Sequence, residues 1–312
     1  MRAVVYERYG PPEVLHLAEV PTPEPRPDEV RVRVHAAGVS MSDHYIRSLD
    51  VPWVLWLPIR VALGFFRPRR HIPGIVYSGV VDRVGAEITK LAPGDAVYGM
   101  TGFDFGAYAE YKCLRTKDGS KTGCIALKPG NVSHEEATVA AYGGLLALQA
   151  IDHARIEAGD RVLIYGGSGT SGTMAIQIAK AMGAHVTAVA GTDNQALVRS
   201  LGADASLDYR TTERAPEGER FDVFLDCAGK RRTSALREDL VRTFHGTWRT
   251  ASIDDGDVRM DSACLDRIRA LVESGAVKPV LGQAWPMEQI VDAHRALLSG
   301  HKRGGYAVSI VH

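Results

Sequence analysis

The sequence predicts an α/β fold in two parts: a small antiparallel β-barrel, and a doubly wound parallel sheet with helices on both faces. Three observations carry this. Val30, Val32 and Val34 alternate with Arg31, Arg33 and His35, the period-two pattern of a half-buried strand. Beyond Lys128-Pro129-Gly130, short apolar runs alternate with helical ones, which predicts βαβ units. Between the strand-like RVLIY and the helix-like TMAIQIAKAMG stands a glycine-rich connection, Gly166 to Gly172.

The elements follow in order. The opening MRAVVYERYG reads as a first strand, and Ile75 to Val84 and Ala96 to Tyr98 continue the β-rich third around turns such as Pro93-Gly94-Asp95. Ser133 is placed to N-cap a helix with Glu135 and Glu136 in its first turn, running toward Ala150. A strand Arg161–Tyr165, a helix Ala175–Met182, a strand His185–Ala190 and a helix Gln195–Leu201 closed by Gly202 come next. Then follow a strand Phe221–Asp226, a helix near Ser234–Thr243 and a strand Thr247–Ala251; after Gly304-Gly305, the run Ala307–Val311 predicts a last strand that rejoins the first domain.

At 312 residues the chain has room for two domains, and its 37 basic and 37 acidic residues cancel, which points away from nucleic acid and toward a small neutral partner. Cys113, Cys124, Cys227 and Cys264 are scattered without metal-site spacing, so idle thiols in a reducing compartment are expected. The first residues lack the apolar core of a signal peptide, and cytoplasm is the expectation. The apolar stretch Val51 to Arg70 is broken by Pro52, Pro58 and Arg60 and falls short of a spanning helix, so no stable membrane insertion is expected. A packing helix, a lid over an apolar pocket and a membrane-peripheral segment remain its readings.

Gly167, Gly169 and Gly172 satisfy G-x-G-x-x-G in the strand–turn–helix setting that a dinucleotide requires. Glycines there allow a tight turn and let backbone amides, with Ser168, Thr170 and Ser171 between them, approach a pyrophosphate at a helix N-terminus. A close-packed turn without ligand is the other reading. The next strand ends Val189-Ala190-Gly191-Thr192, without the carboxylate that an NAD site offers to the ribose, which favours NADPH over NADH. Asp193 runs against that choice unless it caps the following helix, and Arg199 and Tyr209 are candidates for contacts to the 2′-phosphate.

Taken in order, MRAVVYERYGPPEVL, AAGVSMSDHYIRS, PGIVYSGVVDRVG, PGDAVYG, FGAYAEY, the glycine-rich turn, FDVFLDCAG and IVDAHRALLSGHKRGGYAVSIV resemble the medium-chain dehydrogenase/reductase superfamily, in its zinc-independent quinone oxidoreductase-like branch. The resemblance spans nearly the whole chain. It implies a GroES-like β-barrel catalytic domain from residues 1–128 and 280–312, a Rossmann NADP(H)-binding domain at 129–279, an active site in the cleft, and a homodimer.

Zinc-dependent relatives carry a cysteine where Ser40 stands, a His-Glu pair where Ile75-Val76 follow Gly74, and another cysteine near Ala140-Ala141. None is present, so no catalytic zinc is expected; the four-cysteine structural lobe is missing too. Without that Lewis acid an isolated carbonyl is a demanding substrate, whereas a quinone or α,β-unsaturated ketone delocalises the incoming charge onto its own oxygen. The expectation is an NADPH-dependent reductase of a small apolar conjugated carbonyl compound.

By resemblance Tyr45 or Ser40 hydrogen-bonds the substrate oxygen, with a structural Tyr45 as the alternative. Asp43 reads as a residue orienting a loop, and His44 as a lone histidine. Trp53, Trp56, Phe66 and Tyr142 are expected to line the pocket, and Ala251, Ser252, Gly304 and Gly305 to hold the nicotinamide amide through backbone groups. Leu146 departs from the threonine common in relatives. Two alternatives stay open: an enoyl or alkenal reductase, including one acting on a biosynthetic enone, and, from another class, an NADPH-binding protein that is non-catalytic or membrane-peripheral.

Overall fold

The computed structural model describes residues 1–51, 53–229, 233–244, 246, 248–253, 258–300 and 302–311. It divides into two compact units, one formed by Met1–Ala141, Arg259–Asp266 and Leu281–His312, the other by Tyr142–Val258 and Arg267–Val280.

In the first unit β1 (Arg2–Val5) and β2 (His16–Glu19) pair antiparallel. The larger sheet holds β3 (Glu29–Val39), β4 (Val76–Val84), β5 (Ala96–Met100), β6 (Tyr111–Arg115) and β7 (Cys124–Leu127), joined from the far end of the chain by β13 (Leu281–Pro286) and β14 (Gly305–Ser309). Its order is β13-β14-β3-β4-β5-β7, with β6 also on β3. It is the GroES-like half of a mixed α/β fold. The sheet departs from an all-antiparallel barrel at β13 and β14, which run parallel, while β14 lies antiparallel on β3. The alternation from Val30 to Val34 works as read: those three valines are fully buried beside Tyr77 and Tyr108. Each such valine contributes roughly 1.5–3 kcal/mol.

Three helices of this unit bear on the site. They are α1 (Met41–Ser48), α2 (Trp53–Leu63) and α3 (His134–Val139). The helix expected from Ser133 to Ala150 does begin at a Ser133–Glu136 capping box. It is interrupted by a π-turn at Ala140–Gly144 and resumes as α4 (Leu145–Ala154). The interruption coincides with Gly143, where a Cβ would stand 2.5 Å from the Thr170 carbonyl oxygen.

The second unit is built on five parallel strands, β8 (Arg161–Tyr165), β9 (His185–Ala190), β10 (Ala205–Asp208), β11 (Val223–Asp226) and β12 (Arg249–Ser252), in the order β10-β9-β8-β11-β12. The strand order reverses beside β8, which puts the carboxyl ends of β8 and β11 at the switch point where open α/β sheets bind ligands. Around the sheet run α5 (Thr170–Ala181), α6 (Gln195–Ser200) and α7 (Ala235–Phe244); α8 (Ser262–Glu273) and α9 (Ile290–Leu298) follow in the chain. β10, α8 and α9 are elements beyond those expected from the sequence. Ala205–Asp208 is a strand through its pairing with β9, not through a period of its own.

Candidate functional site

Two groups of residues concern function, one in each unit. In the second unit β8 runs into the glycine-rich turn and α5. The three glycines do different work. At Gly167 a Cβ would stand 3.1 Å from the Ala188 Cβ, so that glycine brings the turn close to the sheet. At Gly172 it would stand 2.1 Å from the Gly166 carbonyl oxygen, so helix and strand meet backbone to backbone. At Gly169 it would meet nothing nearer than the Gly166 oxygen at 3.5 Å, with φ −77° and ψ 177° that any residue adopts. Neither packing nor conformation in the protein requires glycine there. Open space on that side suits the approach of a ligand backbone-close.

The N-terminus of α5 carries no side-chain cap, and its first turn has no acid. First-turn amides lack intrahelical acceptors, and with the helix dipole they favour an anion. Nearby, Asn194 donates to the Ser168 hydroxyl at 3.3 Å, while its own Oδ1 is buried with no partner. An acceptor left in that state suits a ribose hydroxyl.

At the end of β9, Thr192 donates to Asp208 at 2.6 Å, and Asp193 pairs with Arg210 at 3.1 Å. Asp193 does not cap the following helix, which starts without a side-chain cap. A Cβ at Gly191 would lie 3.3 Å from both the Arg210 Nε and the Tyr209 hydroxyl. Arg199 points elsewhere and gives its Nε to Ser206 on β10 at 2.9 Å. The arginine beside Gly191 is therefore Arg210. An Asp-Tyr-Arg run at the end of a strand was its signal, hidden because β10 has no clear period. Ala251 and Ser252 close β12, and β11 ends at a buried Asp226 that holds Arg237 at 2.7 Å and accepts from the Ala228 and Gly229 amides. Gly304 and Gly305 lead into β14 of the first unit, and Tyr142 lies in the π-turn.

In the first unit Ser40 and Asp43 form a capping box rather than a loop: Ser40 is the N-cap of α1 and Asp43 its third residue. The S-x-x-D spacing was the legible sign. The Ser40 amide and hydroxyl both donate to Asp43 Oδ2, at 2.9 and 2.6 Å. Its one hydroxyl proton is thereby committed, and the residue is 2% exposed. Burial is the main influence on Asp43 and pushes its carboxyl up to about 6 against the pull of those donors. The Ile75 amide and the Tyr108 hydroxyl also face this carboxyl, though neither closes a full hydrogen bond to Oδ1.

Around this box stand further buried polar groups. Arg47 gives one guanidinium nitrogen to the Gly10 carbonyl and another to the His44 ring at 3.2 Å. His44, expected to stand alone, also lies 3.5 Å from Asp50. The Tyr108 hydroxyl approaches the His294 ring at 3.4 Å, and burial lowers His294 to about 3, keeping it neutral. Tyr45 is half-buried on α1, its ring 5.4 Å from that of His44. Trp53 and Phe66 do not wall an enclosed space: 87% and 88% exposed, they stand on an open face with Trp56.

Where the resemblance places zinc ligands, the protein has Ser40, committed to Asp43, and the buried apolar Ile75 and Val76. Those groups do not fit zinc. Among the described residues, no three His, Cys, Asp or Glu side chains converge as a metal site.

A parallel sheet with a glycine turn and an open helix start at its switch point is the architecture of a dinucleotide-binding protein. Comparison with known proteins is specific. A family model for the alcohol dehydrogenase GroES-like domain matches residues 26–155, and one for zinc-binding dehydrogenases matches 201–308. The chain is 30% identical to the human mitochondrial NAD(P)H oxidoreductase RTN4IP1 over 100% of this chain and 89% of that one. It is 30% identical to the chloroplastic NADPH-dependent alkenal/one oxidoreductase of Arabidopsis thaliana, over 99% and 79%. The quinone oxidoreductase structure from Coxiella burnetii superposes with a TM-score of 0.81 at 26% identity, over 100% and 99%. The chain belongs to the medium-chain dehydrogenase/reductase superfamily, in its quinone oxidoreductase-like branch. It is an oxidoreductase that uses a nicotinamide cofactor.

Proposed function

We propose that the protein reduces a small apolar conjugated carbonyl compound, a quinone or an enone, with NADPH. What supports this is the glycine turn of the second unit, together with Ser40, Ile75 and Val76 in place of thiol and imidazole where the resemblance puts zinc ligands. Arg210 and Tyr209 beside Gly191 support the choice of NADPH, and the Asp193 carboxylate, already opposite Arg210, is less of an obstacle to a phosphate there. The nicotinamide, when bound, supplies a hydride.

What the chain's own residues do is narrower. First-turn amides of α5 hold the pyrophosphate, and Asn194 Oδ1 accepts from a ribose hydroxyl. As hydride adds at the far carbon, the π electrons move onto the acceptor oxygen, and a proton from solvent completes the product. The Tyr45 hydroxyl donates to that oxygen; Ser40, whose proton goes to Asp43, orients α1 and with it Tyr45.

An absorbance assay of NADPH and NADH against a panel of quinones and enones tests the reading. Turnover with NADPH and at least one conjugated acceptor is expected, and binding of NADPH with no oxidation across the panel would sink it. Tyr45→Phe should lower kcat by roughly tenfold to a hundredfold while leaving NADPH affinity intact; unchanged kcat would make Tyr45 structural.

A further inference from the structure

The net charge of the chain is zero, yet the segment between Asp50 and Asp82 contains no acid and carries Arg60, Arg67, Arg69 and Arg70. Immediately before the last three lies α2. Its Trp53, Leu57 and Val61, one helical turn apart, are 87%, 55% and 53% exposed, and Phe66 just beyond is 88% exposed. An exposed stripe of this size on a soluble fold marks an interaction surface.

The charge beside the stripe identifies the partner. Arg69, Arg70 and His71 border an open groove of about 730 Å³ whose other walls include Arg26, Lys112 and Lys121. Its acids are engaged: Glu24 by Arg31 and Arg83, Asp104 by Arg70 and Lys112, and Glu29 by the Arg26 amide at 3.1 Å and more loosely by Arg115 at 3.9 Å. Among the described residues no ion pair involves Arg67, Arg69 or Lys121. The apolar stripe and the uncompensated cations lie next to each other in the chain. That is the chemistry of an anionic bilayer surface, where tryptophan and phenylalanine sit at the headgroup boundary and arginine meets phosphate.

We propose that α2 and the arginines after it form a peripheral docking surface for anionic lipid membranes. The eleven residues of α2 span only about 16 Å, too short to cross a bilayer and well suited to lie in its interface. Arg60 holds the helix to the unit, its guanidinium 5.4 Å from the Tyr9 ring and 4.8 Å from Trp56, while the Tyr9 hydroxyl donates to the Gly64 carbonyl. A second copy of the chain is the poorer occupant. A twofold contact over this stripe would draw the arginine clusters of both copies into one interface, with no acid between Asp50 and Asp82 to oppose them. The docking surface stands apart from which acceptor is reduced.

Co-sedimentation of the full chain with phosphatidylcholine vesicles, and with phosphatidylcholine vesicles containing phosphatidylserine, tests this. Binding to the anionic vesicles, at least roughly tenfold above the neutral ones and falling with salt, is expected. Arg67→Glu with Arg69→Glu, and separately Trp53→Ser with Phe66→Ser, should each weaken it by roughly tenfold or more. Circular dichroism and thermal melting of these exposed-site variants check that the fold is kept. No excess binding to anionic vesicles, or binding that neither well-folded pair reduces, overturns the proposal. A dimer in sedimentation velocity that Trp53→Ser with Phe66→Ser dissolves would overturn it too, since the stripe would then be covered by a second copy.

Discussion

The two units each hold a helix that carries candidate site residues, and these helices begin in opposite ways. α1 starts at a closed box, in which Ser40 and Asp43 satisfy each other's side-chain and backbone groups. α5 starts at Gly169 with no side chain to cap it and no acid in its first turn. A closed start contributes to stability and fixes the direction of the helix it begins. An open start leaves donors to water or to a ligand. Under the proposed function, the difference separates a helix that positions a side chain, Tyr45, from one whose backbone is itself the binding group.

The comparison can be broken first where backbone meets backbone. Gly172→Ala would set a Cβ 2.1 Å from the Gly166 oxygen, and about 3 kcal/mol or more of stability should be lost. Thermal or urea unfolding checks it; an unchanged midpoint would show that the turn can open.

The closed start is tested by pH. Asp43 is held at about 6, above its ordinary 3.8, chiefly by burial. A raised acid binds its proton more tightly in the folded chain, so its contribution is fully present below about 4 and is lost as pH rises through about 6. Asp43→Asn cannot titrate. Relative to the parent it should therefore gain about 2 kcal/mol between pH 4 and pH 7, read from urea unfolding at the two values. A pH-independent difference would contradict the burial of a titrating carboxyl at the start of α1.

The smallest of these effects belongs to the cofactor's far end. Arg210→Ala should weaken NADPH binding by about tenfold, or about 1.4 kcal/mol, and leave NADH binding unchanged, as measured by fluorescence titration. Equal loss for both cofactors would remove the 2′-phosphate role from Arg210.

What the sequence made legible was local. Valines at period two needed only a half-buried strand to explain them, and the glycine turn needed only its flanking strand and helix. The S-x-x-D spacing at Ser40 was equally local, but α1 is only eight residues long and largely polar, and its few apolar positions, Met41, Tyr45 and Ile46, make too short a stripe to announce a helix. Arg210 and Asn194 lay beyond reach for a different reason. Arg210 comes to Gly191 through the parallel pairing of β10 with β9, and Asn194 meets Ser168 across 26 residues of chain. Trp53 and Phe66 show the same limit in reverse, since composition marks a residue as apolar without saying which surface it faces.

Gly169→Ala tests the open helix start most directly. The protein has room for that methyl group and a backbone that tolerates it, so the unfolding midpoint should not move, while NADPH should bind roughly tenfold or more weakly because the methyl group stands where the pyrophosphate approaches. Unchanged affinity in a stable variant would contradict the assignment of that helix start to the dinucleotide.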